Sequence, residues 1–173
     1  MYAKVRSKNA IGPTALLLLI TLTLSGMSGS WGTPSLDGTL CKSLSGSWSV
    51  REKICYINGN GNSVSDFFIA SGTTLLINRA NFTNSHTITG NGAINNNSGN
   101  FNNKGTISGA GSINNNGNFY NTGSINITGS ISNYGSFYNS KTIYNFGRIN
   151  NYKYWEGCIT YNKGSLSGGL NGC

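Results

Sequence analysis

Counted in steps of six from Phe82, an apolar side chain falls on almost every step. The series is Phe82, Ile88, Ile94, Phe101, Ile107, Ile113, Phe119, Ile125, Ile131, Phe137, Ile143, Ile149, Trp155. One step, from Ile94 to Phe101, is seven residues long. The aromatic member returns every third step, so a period of eighteen is nested on the period of six. An amphipathic helix repeats near 3.6 and a half-buried strand at 2. Nested periods of six and eighteen instead describe a chain wound into a three-sided coil, one hexad per side. The expected fold class is all-β: a three-sided parallel β-helix with about 18 residues per coil.

The hexads reinforce this. KGTISG, AGSINN, NGNFYN, TGSINI, TGSISN and YGSFYN follow the usual order x-Gly-x-Ile/Phe-x-Asn, with Gly and Ile in the last place of KGTISG and TGSINI. Strand side chains alternate between faces, so Gly, the apolar residue and Asn are expected to point inward and the residues between them outward. Corners are expected at the Asn-x-Gly junctions, such as 103–105, 121–123 and 133–135, where Asn and Gly tolerate left-handed backbone angles. Stacked coils place Phe82, Phe101, Phe119, Phe137 and Trp155 in one aromatic column, with two isoleucine columns on the other walls. Inward Asn side chains are expected to hydrogen-bond from coil to coil. The seven-residue step predicts a corner bulge near 95–98, with both neighbouring walls in register.

Four segments follow. Residues 1–30 read as a signal peptide or N-terminal anchor: Lys4, Arg6 and Lys8 precede the apolar run ALLLLITLTL, and small residues follow in SGMSGS. That run is short for a membrane span, which needs roughly 20 residues. Residues 31–78 form an N-terminal cap and lead-in strand. There, Leu76, six before Phe82, is expected to carry the register already. Residues 79–157 are the regular array. In 158–173 the beat breaks, as the terminal turn of a solenoid should. The +8 formal charge includes the three basic residues of the leader, and the rest are spread thinly. With no basic cluster to grip phosphates, no nucleic-acid partner is expected. Membrane contact is expected only through an uncleaved N-terminal segment.

Cys41 and Cys55 lie just before the array, Cys158 and Cys173 just after it. Four cysteines allow three pairings, and local pairing at each end is favoured. Each bridge would close a loop of about 15 residues, worth roughly 3 kcal/mol in the chain-entropy model. A metal site is the competing reading. No cysteine pair has the two-residue spacing of a zinc knuckle, and the one histidine, His86, is distant in sequence.

The hexads resemble secreted β-solenoids of microbial surface proteins built from G-x-I-x-N repeats. The lead-in, Cys41–Trp48–Cys55 followed by SGTTLLIN and ANFTN, is similar to extracellular archaeal proteins in which a Cys…Trp…Cys segment precedes such runs. The resemblance covers about 41–157 and implies a repeat protein of the cell exterior. Left-handed hexapeptide-repeat acyltransferases share the period but place Gly directly after the aliphatic residue; here it stands two before.

Little in the chain suggests catalysis. After the leader there are four carboxylates, Asp37, Glu52, Asp66 and Glu156, and none lies within the regular coils before Glu156. Acid–base chemistry on a solenoid wall needs paired carboxylates, and Ser or Thr needs a base to activate it. No cofactor is expected. Binding has more support. Tyr120 and Tyr138 are eighteen apart and should stack outside the Phe wall, with Tyr144 on the next wall and Tyr134, Phe146 and Tyr152 at corners. Exposed aromatic rows contact sugars or partners. Three N-glycan acceptor motifs occur, at Asn81, Asn96 and Asn126; Asn81 and Asn126 are expected outward, Asn96 at the bulge. Thr87, Thr89, Thr106 and Ser108 suggest an ice-binding Thr row, but it becomes Asn126 and Tyr144 lower down and is neither flat nor regular. The expected role is a non-catalytic, secreted structural or adhesive protein of the cell surface, with self-association or surface glycans as partners. An extracellular filament subunit and a carbohydrate-binding module are the alternatives.

Overall fold

The computed structural model describes residues 32–173. The expected leader, 1–30, lies outside the described residues. The rest is a parallel β-solenoid whose chain visits three walls in turn. Wall one has eight strands: Ser47–Ser49, Ile54–Ile57, Thr74–Ile77, Ala93–Asn96, Ser112–Asn115, Ser130–Asn133, Arg148–Asn151 and Ser165–Ser167. Wall two has six: Gly61–Asn62, Asn81–Asn84, Asn100–Asn103, Asn118–Asn121, Ser136–Asn139 and Tyr154–Glu156. Wall three has six: Phe67–Ile69, Thr87–Gly90, Thr106–Gly109, Ser124–Ile127, Thr142–Asn145 and Tyr161–Asn162. All pairings are parallel except the first strand of wall one, which folds back antiparallel.

Like stacks on like inside the bore. Phe101–Phe119 and Phe119–Phe137 ring centroids are 4.7 Å apart and within 4° of parallel. Trp155 continues the column 4.0 Å below Phe137. Each of these rings is fully buried, so each adds both apolar burial and ring stacking. The isoleucine columns run in register on the other two walls.

Beside the apolar columns run the amides. On wall two, Asn84 donates to Asn103 (2.9 Å), Asn103 to Asn121 (2.8 Å) and Asn121 to Asn139 (2.7 Å). On wall one, Asn96, Asn115, Asn133 and Asn151 repeat this at 2.8 Å per step. A buried amide without partners is costly, and repetition supplies each inner one with a donor above and an acceptor below; at the top, Asn84 and Asn96 accept instead from the backbone amides of His86 and Gly99. At the C-terminal end, the carbonyls of Cys158 and Gly169 receive the last amides, Asn139 and Asn151. Wall three departs from the pattern. Its column reads Ile69, Gly90, Gly109, Ile127, and only Asn145 and Asn162 complete a ladder step.

The corners correct one expectation. None of Gly105, Gly117, Gly123, Gly135 or Gly147 takes a positive φ, and their missing side chains point along the stack rather than into the bore. A Cβ on Gly123 would lie 2.1 Å from the carbonyl oxygen of Gly105 in the coil above. Glycine is there for close approach, not for a left-handed turn. Where Lys takes the position, the adjoining rung lengthens. Thr142 N to Gly123 O, beside Lys141, is 3.3 Å, and Tyr154 N to Gly135 O, beside Lys153, is 3.2 Å; Ser124 N to Gly105 O is 2.8 Å. Gly90 and Gly109 do take φ of +126°, at strand ends on wall three.

The register also corrects the lead-in. Leu75 and Ile77 point inward, whereas Leu76 is outward and half-buried. Leu75 is therefore seven residues before Phe82, because the corner at 78–80 has three residues, with Arg79 at φ 55°. The bulge expected near 95–98 is the corner at 97–99, directly below, and both walls keep register across it. The coil begins earlier than residue 79: the strand Ile54–Ile57 already pairs in parallel with Thr74–Ile77.

The ends differ. At the N-terminal end the helix α1 (Gly38–Ser43) plugs the bore, with Leu36, Leu40 and Leu44 buried. Asp37 caps it, accepting from the Leu40 amide at 2.9 Å. Cys41–Cys55, wholly buried, ties the plug to wall one. Cys158–Cys173 closes the last turn over wall two. Leu166, which ends the Ile149 column, is 41% exposed.

Candidate ligand-contact surface

Outward positions carry no stacking constraint from the bore, and here composition changes along the axis. On wall two the outward column reads Thr83, Asn102, Tyr120, Tyr138, Glu156. Tyr120 and Tyr138 stack at 4.9 Å and 7°, and Tyr154 packs on Tyr138 at 5.5 Å, tilted by 53°. At the corner between walls one and two, Tyr134 and Tyr152 stack at 4.5 Å and 8°. Tyr144, Phe146 and Tyr161 cluster on wall three and its following corner. Aromatic side chains thus gather on walls two and three and the adjoining corners of the C-terminal coils; at the matching positions of the N-terminal coils only Phe68, at the head of the Tyr144 column, is aromatic. The spacing of eighteen brings Tyr120 and Tyr138 together as expected; Tyr144 stands on a different wall and does not join them.

A groove of about 250 Å³ runs beside the Tyr120–Tyr138 column, lined by Thr122, Asn139, Ser140 and Glu156. The two rings cover one another, so the column offers ring edges and hydroxyls more than open faces. Thr122 Oγ1 donates to the Asn103 carbonyl at 3.2 Å and Ser140 Oγ to that of Asn121 at 3.3 Å. With their protons used, these hydroxyls face the groove as acceptors. Glu156 accepts from the Tyr154 hydroxyl at 2.8 Å through one oxygen, which leaves its other oxygen to accept as well. The bond to Glu156, with some loss of hydration and the carboxylate charge, raises the Tyr154 pKa above its usual value. The groove is therefore rich in acceptors and aromatic edges, which suits a ligand rich in O–H or N–H donors. Sequence reading missed the groove and Glu156's place in it. Glu156 is eighteen residues after Tyr138, so the same period pointed to it.

The carboxylates have separate tasks. Asp37 caps α1, Glu52 accepts from the Tyr56 hydroxyl at 2.6 Å, and Asp66 accepts from the Thr87 amide at 2.8 Å. His86 stands exposed at a corner, in the column of Gly105, with Nδ1 3.2 Å from Ser63 Oγ. Among the described residues no three His, Cys, Asp or Glu side chains converge on a common metal position, and no helix is long and apolar enough to cross a membrane. A second hollow, about 20 Å³, opens where Gly90 and Gly109 replace ladder amides; it is about the size of one water, but its lining is mostly apolar.

The three acceptor motifs are placed differently. Asn81 is exposed, but its amide sits in an outward ladder between Asn60 and Asn100. Asn96, expected at the bulge, is the last strand residue before that corner and is fully buried in the wall-one ladder. Asn126 is exposed on wall three.

Comparison with protein-family models, with curated proteins and with solved structures yields no match. The functional reading rests on the surface itself.

Proposed function

We propose that this chain is a non-catalytic, secreted structural or adhesive protein of the cell surface, of the G-x-I-x-N solenoid type, whose tyrosine-faced coils contact glycans. The observation that carries the reading is the stacked Tyr120–Tyr138 column beside a groove walled by Thr122, Ser140 and Glu156. A pyranose presents several hydroxyl donors, which match the groove's acceptors, and C–H surface, which packs on aromatic groups. The ladders and the disulfide at each end favour a rigid support that needs no partner to hold its shape, and disulfides persist in oxidising compartments. Each carboxylate has its own hydrogen-bond partner, which supports a binding role over acid–base chemistry.

The test is a glycan array with the full-length protein and its Tyr120→Ala/Tyr138→Ala variant. The reading predicts binding to at least one glycan class and a loss of tenfold or more in the variant, which is about 1.4 kcal/mol. Equal binding by both proteins, or none by either, contradicts it. A second reading, a filament subunit, is favoured by the exposed strand edges and Leu166 at the C-terminal end. Light scattering that rises with concentration, and falls for Leu166→Lys, would move the assignment there.

A further inference from the structure

Of the three acceptor motifs, the fold accommodates a modified side chain well at one, and we infer that Asn126 carries an N-linked glycan. Asn126 lies outward in the strand Ser124–Ile127, is exposed, and makes no side-chain hydrogen bond among the described residues. Thr128, which completes the motif, is exposed at the next corner. One rung below, Tyr144 is 40% exposed and tilted by 57° from Tyr161, so the ring offers apolar surface to the first sugar. Asn96 is the opposite case. Its Nδ2 donates to the carbonyls of Gly99 and Asn118 at 3.0 and 2.9 Å and to Asn115 Oδ1 at 2.8 Å, all within the bore. A sugar on that nitrogen removes a donor and has no room. The amide of Asn81 is already engaged with the rungs on both sides.

In the transfer, Asn126 Nδ2 bonds to the anomeric carbon of a lipid-diphosphate-linked oligosaccharide. The bond from that carbon to the diphosphate oxygen breaks, the lipid diphosphate leaves with its electron pair, and the amide releases one proton to water. An oligosaccharyltransferase on the export route supplies donor and catalyst, so the inference shares only the exported location with the function proposed above.

The test places the full chain behind a strong secretion leader in a host with that transferase, so that export is imposed. Folded, disulfide-bonded protein is collected from the medium and its glycopeptides are mapped by mass. The expected result is sugar on Asn126, none on Asn96, and loss of the Asn126 glycan in both Asn126→Gln and Thr128→Ala. The second variant keeps Asn126 itself should the first fold poorly. Secreted, folded protein with a bare Asn126, or with sugar on Asn96, overturns the inference. Glycan binding by the Tyr120–Tyr138 face is read separately on the array, so either idea can fail alone.

Discussion

The coils above Phe101 and those below it are nearly alike inside and unlike outside. Inside, every turn from Leu75 to Trp155 stacks an aromatic ring and two aliphatic residues, with inward amides linking the coils; only the first turn differs, with Cys55, Gly61 and Phe67 heading the three columns. Outside, the upper half shows mostly Asn, Thr and Ser, with Tyr56, Phe68 and Leu76 on its first two turns, and the lower half gathers Tyr120, Tyr138, Tyr144, Tyr152 and Tyr154. The upper turns are also irregular in length: Gly61 to Phe82 spans 21 residues, Leu75 to Ile94 spans 19, and Phe119 to Phe137 spans 18. Two different demands account for this. Each inward residue must match the one above it, so the bore resists change. Each outward residue meets solvent, so the faces are free to acquire binding chemistry. The upper coils serve closure, with three-residue corners and a helical plug. The lower coils carry the contact surface.

The largest effect should come from breaking the inner column. Phe119→Ala should cost about 3–5 kcal/mol in denaturant unfolding, the range for a buried Phe lost to a cavity. Its neighbour Tyr120→Ala should cost under about 1.5 kcal/mol, since it loses one outward stacking partner. Equal costs would erase the distinction between bore and face. Next are the two ends. Cys41→Ser/Cys55→Ser and Cys158→Ser/Cys173→Ser open loops of similar length, worth about 3 kcal/mol each by chain entropy. The first pair also places two hydroxyls in the buried plug, so it should lower Tm further than the second. The amides give a smaller contrast. Asn115→Ala should cost about 1–3 kcal/mol, because it takes the donor from buried Asn133 and the acceptor from Asn96. Asn114→Ala, half-buried with an outward bond to Asn95, should cost about 1 kcal/mol or less.

The smallest effect is at alkaline pH. Glu156 holds the Tyr154 proton in the folded state, so the folded pKa lies above the unfolded value near 10. The associated stability is complete below pH about 10 and is lost as pH climbs through the raised folded value. Ultraviolet titration should show Tyr154 among the late phenols, with Tyr56, held by Glu52, and Tyr134, beside Tyr152, and Glu156→Gln should bring Tyr154 alone back towards the ordinary range. An unchanged titration would remove Glu156 as its partner.

The period of six and eighteen was enough to place the bore, the aromatic column and the Tyr120–Tyr138 pair, because stacking ties inward identity directly to sequence spacing. Leu76 was misplaced because a three-residue corner at 78–80 costs the chain one extra residue, and neither Ala80 nor Arg79 marks a bulge by its type. The corner glycines were assigned to left-handed turns, whereas the carbonyl of the coil above is what excludes a side chain. That contact joins residues eighteen or nineteen apart, and turn chemistry read locally does not reveal it. Asn96 was kept among the acceptor candidates, at the bulge, for a related reason: the motif Asn-x-Ser is local, and burial in a ladder is not. The groove depends on how Thr122 and Ser140 spend their protons, which only coordinates can tell.

The central claim is that turns lie directly over one another, with ring on ring. It is tested most directly by nuclear Overhauser spectra of protein labelled at phenylalanine. With centroids 4.7 Å apart, Phe101 should give ring-to-ring cross-peaks to Phe119, and Phe119 to Phe137, with none from Phe101 to Phe137. Absence of the two neighbour peaks in folded protein would contradict the stack and every outer face inferred from it.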